Sequence, residues 1–493
     1  MMSNQLAILQ VVIPLIAAPL CLLVRHAKLT WLFALTISAL CSVIALLLLQ
    51  QVTTHGPVVY ALGDWQAPIG IEYRIDVLGA YLLTIVTSIS TIILLASSSI
   101  NKSELSKQKQ PLFYVAYLLC LTGMLGIIVT GDVFNLFIFI EISALASYTL
   151  IAMGKDRRAL TAAFSYLLVG TLGATFILIG IGLMYMLTGT LNMHDLSVRL
   201  VELSQSRTLF TAFSFFIVGV CLKLALFPLH WWLPNAYTYS PSVASAFLAA
   251  TATKVAIYIL LRFIFGVFGQ EFSFSALPLQ NILMTLGIVG ILVASTMAIY
   301  QKNAKQILAY SSIAQIAYMI LTLGFNSHNG LLATLIHIFN HALMKGALFL
   351  ALAAVMYRIG SMEIKQFAGL GKQMPWTFAA IVIGGLSLVG IPLTVGFISK
   401  WYMIVASLEN GWWPVALVIV FGSLLAAVYV WRIFETAYLQ TAHEPNKQIK
   451  EAPLRLLIPV WLLTLANIYF GIDVRFTQNI AELATQSILG SAM

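Results

Sequence analysis

LKLALFPLHWWLPNAYTYSPSVASAFLAATATK, residues 222–254, sets three prolines, a histidine and two lysines in an otherwise apolar stretch. Proline has no amide donor and clashes with the preceding turn, so Pro228, Pro234 and Pro241 break or kink a helix. The pattern predicts two half-helices, about 208–228 and 241–251, joined by an unwound stretch. Bare backbone at membrane depth is tolerated only where protein covers it or where it lines water. The break therefore implies a water-accessible interior.

That a membrane surrounds this break follows from composition. The 493 residues are 60% hydrophobic and 9% charged, with a mean hydropathy of +0.95. So few charges cannot cover a soluble surface of this size. Fourteen apolar runs have the length of about 20 residues that a span needs, beginning near residues 6, 29, 76, 112, 132, 159, 208, 243, 278, 304, 331, 376, 412 and 455. They lack the ten-residue alternation of an outer-membrane barrel, so the fold class is an all-α polytopic membrane protein. The opening MMSNQLAILQ has no basic segment and reads as a span rather than a signal peptide.

The formal charge of +9 is explained by topology rather than by an acidic partner, and nucleic acid binding has no support. Loops between odd and even spans hold sixteen basic residues, among them Arg25, Lys102, Lys155, Lys302, Lys305, Lys365 and Lys447. The other side holds five: Arg74, Arg199, Arg207, Arg262 and Arg475. The positive-inside rule puts the first set in the cytoplasm and both termini outside. Arg432, near the cytoplasmic end of span 13, is expected to snorkel and pair with Glu435. Cys21, Cys41, Cys120 and Cys221 are scattered through apolar spans without C-x-x-C spacing and read as packing residues.

Three matches at nearly one offset point to a duplication. ASYTLIAMG (146–154) resembles IAYMILTLG (316–324), Tyr185–Gly189 resembles Tyr357–Ser361, and LFPLH (226–230) resembles GIPLT (390–394). The units would be spans 4–8 and 9–13, about residues 111–270 and 271–440. Residues 1–110 precede them with spans 1–3, and 441–493 follow with span 14 and a tail. Five spans per unit is odd, so the copies cross the membrane in opposite directions, as in many secondary transporters. Pro228 and Pro392 mark discontinuous spans 7 and 12.

Seven ionisable groups fall inside spans: Glu141, Lys223, Lys254, His337, His341, Lys345 and Lys400. A charge at the bilayer centre costs about 2.5–3.5 kcal/mol on insertion scales. A lone lysine can snorkel, and a lone histidine can be a satisfied core group. The set as a whole would consume a large share of a folding margin unless its members pair, hydrate and act. His337, His341 and Lys345 are spaced i, i+4, i+8 on one helix face. Lys223 and His230 would share a face if their helix ran unbroken. His230 is balanced between helix-end capping and a proton role, whereas Asp132, at the outer end of span 5, reads as an N-cap. A line of such groups with histidines between them is a proton path.

FIEISALASY, LKLALFPLHWWLPNAY, SPSVASAFLAA with TK following, HIFNHALMKGALF and GIPLTVGFISK together resemble the signature segments of the antiporter-like subunit family. That family includes the large subunits of Mrp-type cation/proton antiporters and the proton-pumping membrane subunits of respiratory complex I and related hydrogenases. The resemblance implies that Glu141 pairs with Lys223, that Lys254 connects them to His337 and His341, and that Lys400 ends the path. Lys345 takes the lysine position of H-x-x-x-K. TGDVFNLFIFIEIS and FPLHWWLPNAYTYSPS look most like the D-type member of an Mrp-type Na+/H+ antiporter, and Asn235 stands where complex I relatives commonly carry aspartate. A complex I subunit of similar length, which also has the last lysine, is the alternative.

The resemblance implies a secondary-transporter subunit of a bacterial inner membrane, with other subunits, lipid, protons and Na+ as its partners. No flavin, haem, cluster or phosphate-loop motif is present, so no cofactor is expected. Glu141 is the only carboxylate near the middle of a span, so no metal site is expected either. RFTQNIAELATQSILGSAM (475–493) reads either as an amphipathic surface helix or as a packing segment.

Overall fold

Thirteen helices among the described residues are long and apolar enough to cross a membrane, and one shorter apolar helix covers Pro375–Val389. The computed structural model describes residues 2–24, 26–275, 277–441 and 448–490, with side chains from residue 5. Arg25 and Lys447 of the charge count lie outside them.

The chain opens with α1 (Met2–Leu23) and α2 (Ala27–His55), then a hairpin of β1 (Val58–Ala61) and β2 (Glu72–Ile75). The strands are antiparallel, with Val58 opposite Ile75 and Ala61 opposite Glu72. Next come α3 (Val77–Glu104), α4 (Lys109–Val129), α5 (Val133–Ala152) and α6 (Arg158–Thr188). A short α7 (Met193–Glu202) leads to α8 (Arg207–Leu224), α9 (Leu233–Tyr239) and α10 (Ser242–Leu261), which continues as a π-turn over Arg262–Val267. After α11 (Gln270–Ser275) follow α12 (Leu279–Tyr300), α13 (Ala304–Leu323) and α14 (His328–Ile359). The rest is α15 (Leu370–Gln373), α16 (Pro375–Val389), α17 (Val395–Glu409), α18 (Trp413–Tyr438), α19 (Leu454–Ile472) and α20 (Arg475–Gly490).

The axis of the molecule is α14. Its apolar length is buried throughout, and it packs against α3, α10, α13, α16, α17, α19 and α20. Helices around it, such as α2 and α18, leave most of their apolar surface facing outward. A helix apolar on all sides is stable in such a place only inside a larger protein or a bilayer.

The first break differs from the expectation. α8 stops at Leu224 because Ala225 turns left-handed (φ 60°), before Pro228 rather than at it. The second half-helix is α9, a seven-residue piece starting one residue before Pro234. Residues 241–251 belong instead to α10, where Pro241 sits at the N-cap and removes no helical hydrogen bond. The second break is the one expected for span 12, α16 and α17 being separated by residues 390–394, with Gly390 left-handed (φ 90°).

Matched backbone contacts recur along the chain. Val133 N–H donates to Leu191 O (2.9 Å) and Met193 N–H to Gly131 O (2.8 Å). Ala304 N–H donates to Met362 O (2.8 Å) and Ile364 N–H to Lys302 O (2.9 Å), each 171 residues later. The turn at the first break, Leu226 N–H to Cys221 O at 3.1 Å, recurs 165 residues later as Ile391 N–H to Leu386 O, also 3.1 Å.

The tail resolves as α20, which buries Ile480, Ala481, Ala484 and Ile488 against α3 and α14. It is thus amphipathic and packs on its own chain. Arg432 does not make the expected pair with Glu435 among the described residues; its guanidinium donates to Gln301 O at 3.2 Å.

Candidate functional site

Glu141, on the third turn of α5, faces Lys223, on the last turn of α8, with Lys223 Nζ 3.3 Å from Glu141 Oε1. The lysine side chain is 9% exposed and the carboxylate 30% exposed on the isolated chain. The break behind Lys223 folds back so that the Trp232 indole N–H donates to Leu222 O (3.1 Å). That bond satisfies one of the carbonyls a helix end leaves open. Trp232 in turn stacks flat on Tyr166 at 3.9 Å. A small cavity runs from Lys223 past Ser143, Ser147 and Tyr237 to Thr253.

Lys254, beside Thr253 on α10, is fully buried. Its Nζ donates to Ala249 O (2.6 Å) and approaches Thr253 Oγ1 (3.4 Å). α10 packs on α14, and His341, His337 and Lys345 of that helix lie within the electrostatic reach of Lys254. The two imidazoles are nearly parallel, 5.9 Å apart with a 4° interplanar angle, on the one helix face where i, i+4 spacing puts them. Among the described residues neither ring nitrogen of His341 has a hydrogen-bond partner, nor does His337 Nε2. His337 Nδ1 lies 2.8 Å from Ser399 Oγ.

Ser399 precedes Lys400 on α17. Lys400 Nζ donates to Leu388 O (2.8 Å), Val389 O (2.9 Å) and Ser423 Oγ (2.8 Å), and stands 5.2 Å from the Tyr318 ring. Leu388 and Val389 are the last residues of α16, whose open carbonyls form the negative end of a helix dipole. The break in span 12 thus makes the acceptor set for a buried cation.

Lys345 points aside, to Leu308 O (2.9 Å) and Ser311 Oγ (2.5 Å). His230 lies in the first break, packed on Phe227 (5.3 Å) and Tyr310 (6.4 Å), with its buried Nδ1 unpartnered among the described residues. It does not share a helix face with Lys223, because α8 has already ended. Asp132 caps α5 through Asn135 N–H (2.7 Å); burial raises its carboxyl above the ordinary aspartate value, and the Asn135 and Phe134 amides partly offset this. Among the described residues no three His, Cys, Asp or Glu are grouped to hold a metal ion.

Two ionic features, one buried and one half-buried, escape a reading of spans. Lys305, counted with the loop cations, is 3% exposed and donates to Ser240 O (3.1 Å) and Ser245 Oγ (3.3 Å). Arg262, counted with the outer loops, forks onto both carboxylate oxygens of Asp76. Asp76 also caps α3 through Gly79 N–H (2.9 Å). Burial alone would raise the Asp76 carboxyl, but the Arg262 charge and hydrogen bonds bring it below the ordinary aspartate value. Partners 186 residues apart leave no local sequence signal.

Residues 130–426 match the family described as NADH:quinone oxidoreductase/Mrp antiporter, TM. The chain belongs to this family. The N subunit of the NADH-quinone oxidoreductase of Desulforudis audaxviator is 37% identical, over 98% of this chain and 99% of that one. The D subunit of the Na(+)/H(+) antiporter of Alkalihalophilus pseudofirmus is 31% identical, over 95% and 94%. In fold, the chain is similar to one in the Mrp complex from Dietzia sp. DQ12-45-1b, with a TM-score of 0.90, 23% identity and 99% and 98% covered. A chain of the membrane-bound sulfane sulfur reductase, an archaeal respiratory membrane complex, gives 0.88 with 30% identity and 98% of each chain covered. The matched family region contains every member of the buried ionisable set.

Proposed function

We propose that this chain is the D-type member of a multisubunit Na+/H+ antiporter of a bacterial inner membrane, and that it carries the protons. The path runs from the Glu141–Lys223 pair past the cavity to Lys254, through His341 and His337, and over Ser399 to Lys400. The observation that carries this reading is the contact between His337 Nδ1 and Ser399 Oγ beside Lys400, because it joins the histidine relay to the lysine held by the helix break. Each group can bind or release a proton, and like charges at short range in a low dielectric disfavour simultaneous loading. Charge on one member therefore drives it off the next. When Glu141 and Lys223 separate, Lys223 loses its counter-charge and yields its proton inward.

The recurrent contacts at offsets of 171 and 165 support reading residues 111–270 and 271–440 as inverted five-helix repeats within fourteen spans. In that topology Lys102, Lys155 and Lys302 face the cytoplasm and both termini the outside. The near-complete match to an N subunit of an oxidoreductase favours one second reading, a non-catalytic pumping member of a complex I-type or hydrogenase assembly. Purification of the native complex through a tag on this chain decides between them. Small antiporter subunits are expected to come with it; peripheral redox subunits would overturn the antiporter assignment.

A further inference from the structure

Three charged groups, the half-buried Glu104 and the buried Lys305 and Lys254, address α10 in succession. Glu104, the last residue of α3, accepts from Ser242 N–H at 2.7 Å and so caps α10. Lys305, at the start of α13, donates to Ser245 Oγ and to Ser240 O just before the helix. Lys254 reaches back to Ala249 O. Residues 242, 245 and 249 are spaced i, i+3, i+7 and share a face, and Ser245 to Ala249 is a rise of about 6 Å. We infer that Glu104 and Lys305 form a second acid–base pair, at the cytoplasmic end of α10, that exchanges protons between that side and Lys254.

A structural tether explains less of what is seen. A neutral donor would hold Ser240 O and Ser245 Oγ as well as an ammonium does, without the penalty of burying a charge. Lys305 has no carboxylate within salt-bridge distance among the described residues, yet Glu104 is the charge it feels across the same loop. Glu104 uses one oxygen on the helix cap, while its other oxygen, Oε1, is buried without a hydrogen-bond partner among the described residues. A buried, unpaired carboxylate oxygen is unfavourable unless a proton or water visits it. Unlike Glu141 and Lys223, the two groups make no salt bridge among the described residues. A second cation stands beside them: Lys155 Nζ donates to Ser103 O at 3.0 Å, one residue from Glu104.

This inference rests on the proton-carrying role proposed above, and the test separates the two. Glu104→Gln keeps an oxygen to cap Ser242 N–H but carries neither charge nor proton. Lys305→Arg keeps a donor and a charge but holds its proton permanently. Na+-dependent proton movement is measured in inverted vesicles, normalised to assembled complex, with Glu141→Gln alongside. At least a tenfold lower rate is expected for Glu104→Gln and Lys305→Arg, with complex abundance unchanged for Glu104→Gln. Either variant running within twofold of wild type overturns the inference. If Lys305→Arg does not assemble, Glu104→Gln decides alone. If Glu141→Gln also runs at the wild-type rate, the wider proton-path reading fails instead.

Discussion

Glu141→Gln removes one charge from the Glu141–Lys223 pair while keeping the shape of the side chain. At 3.3 Å and an effective dielectric of 20, the Coulomb attraction is about 5 kcal/mol before desolvation is subtracted. Glu141 is partly exposed on the isolated chain, so the net coupling is smaller; about 2 kcal/mol remains after screening. That corresponds to about 30-fold in the proton occupancy of Lys223. Na+-dependent proton movement in inverted vesicles, at equal complex abundance, is therefore expected to fall about 30-fold or more. The Glu141→Gln/Lys223→Met double variant should be no slower than the slower single one, because residues acting as a unit are not additive. A Glu141→Gln rate above half of wild type would refute the pairing argument, as would effects of the two substitutions that simply multiply.

Lys400→Met, which empties the cation site at the end of α16, should abolish transport with assembly intact. Ser399→Ala should slow transport about tenfold, the worth of one hydrogen bond, as checked in the same vesicle assay. Gly396→Ala would bring a methyl group within 1.7 Å of Ser387 O, forcing α17 off α16 at an expected cost of about 1–3 kcal/mol; native gels should show less complex. Asp76→Asn keeps the cap on α3 but leaves Arg262 without a counter-charge, lowering the melting temperature in detergent at pH 7. The Asp76 carboxyl lies below its ordinary value, so its contribution is full above about pH 4 and is lost as pH falls through the lower folded value. The Asn variant should not show that acid-dependent loss.

The spans and the chemistry are legible in different measure. Apolar runs, the two breaks and the Asp132 cap are local signals, so residue order alone reveals them. Glu141 and Lys223 can be paired only through a family resemblance, since 82 residues separate them. The partners of Lys254 and Lys400 are backbone carbonyls, which every residue carries, and single hydroxyls, so no side-chain pattern announces them. Lys305 reads as a loop charge because a cation near a span end is ordinarily solvated; the 240–245 segment covers it, and that contact crosses 60–65 residues. The end of α8 falls earlier than the prolines suggest because the stop is a left-handed alanine, Ala225, which propensity does not mark.

The most direct test of the proton path reconstitutes the purified complex in liposomes and imposes a Na+ gradient with no electron donor present. The account predicts counterflow of protons with the wild-type chain and none when Lys254→Met is introduced, both complexes holding the same subunits. Proton flux that persists in Lys254→Met, or that appears only when an electron donor and quinone are supplied, would contradict it.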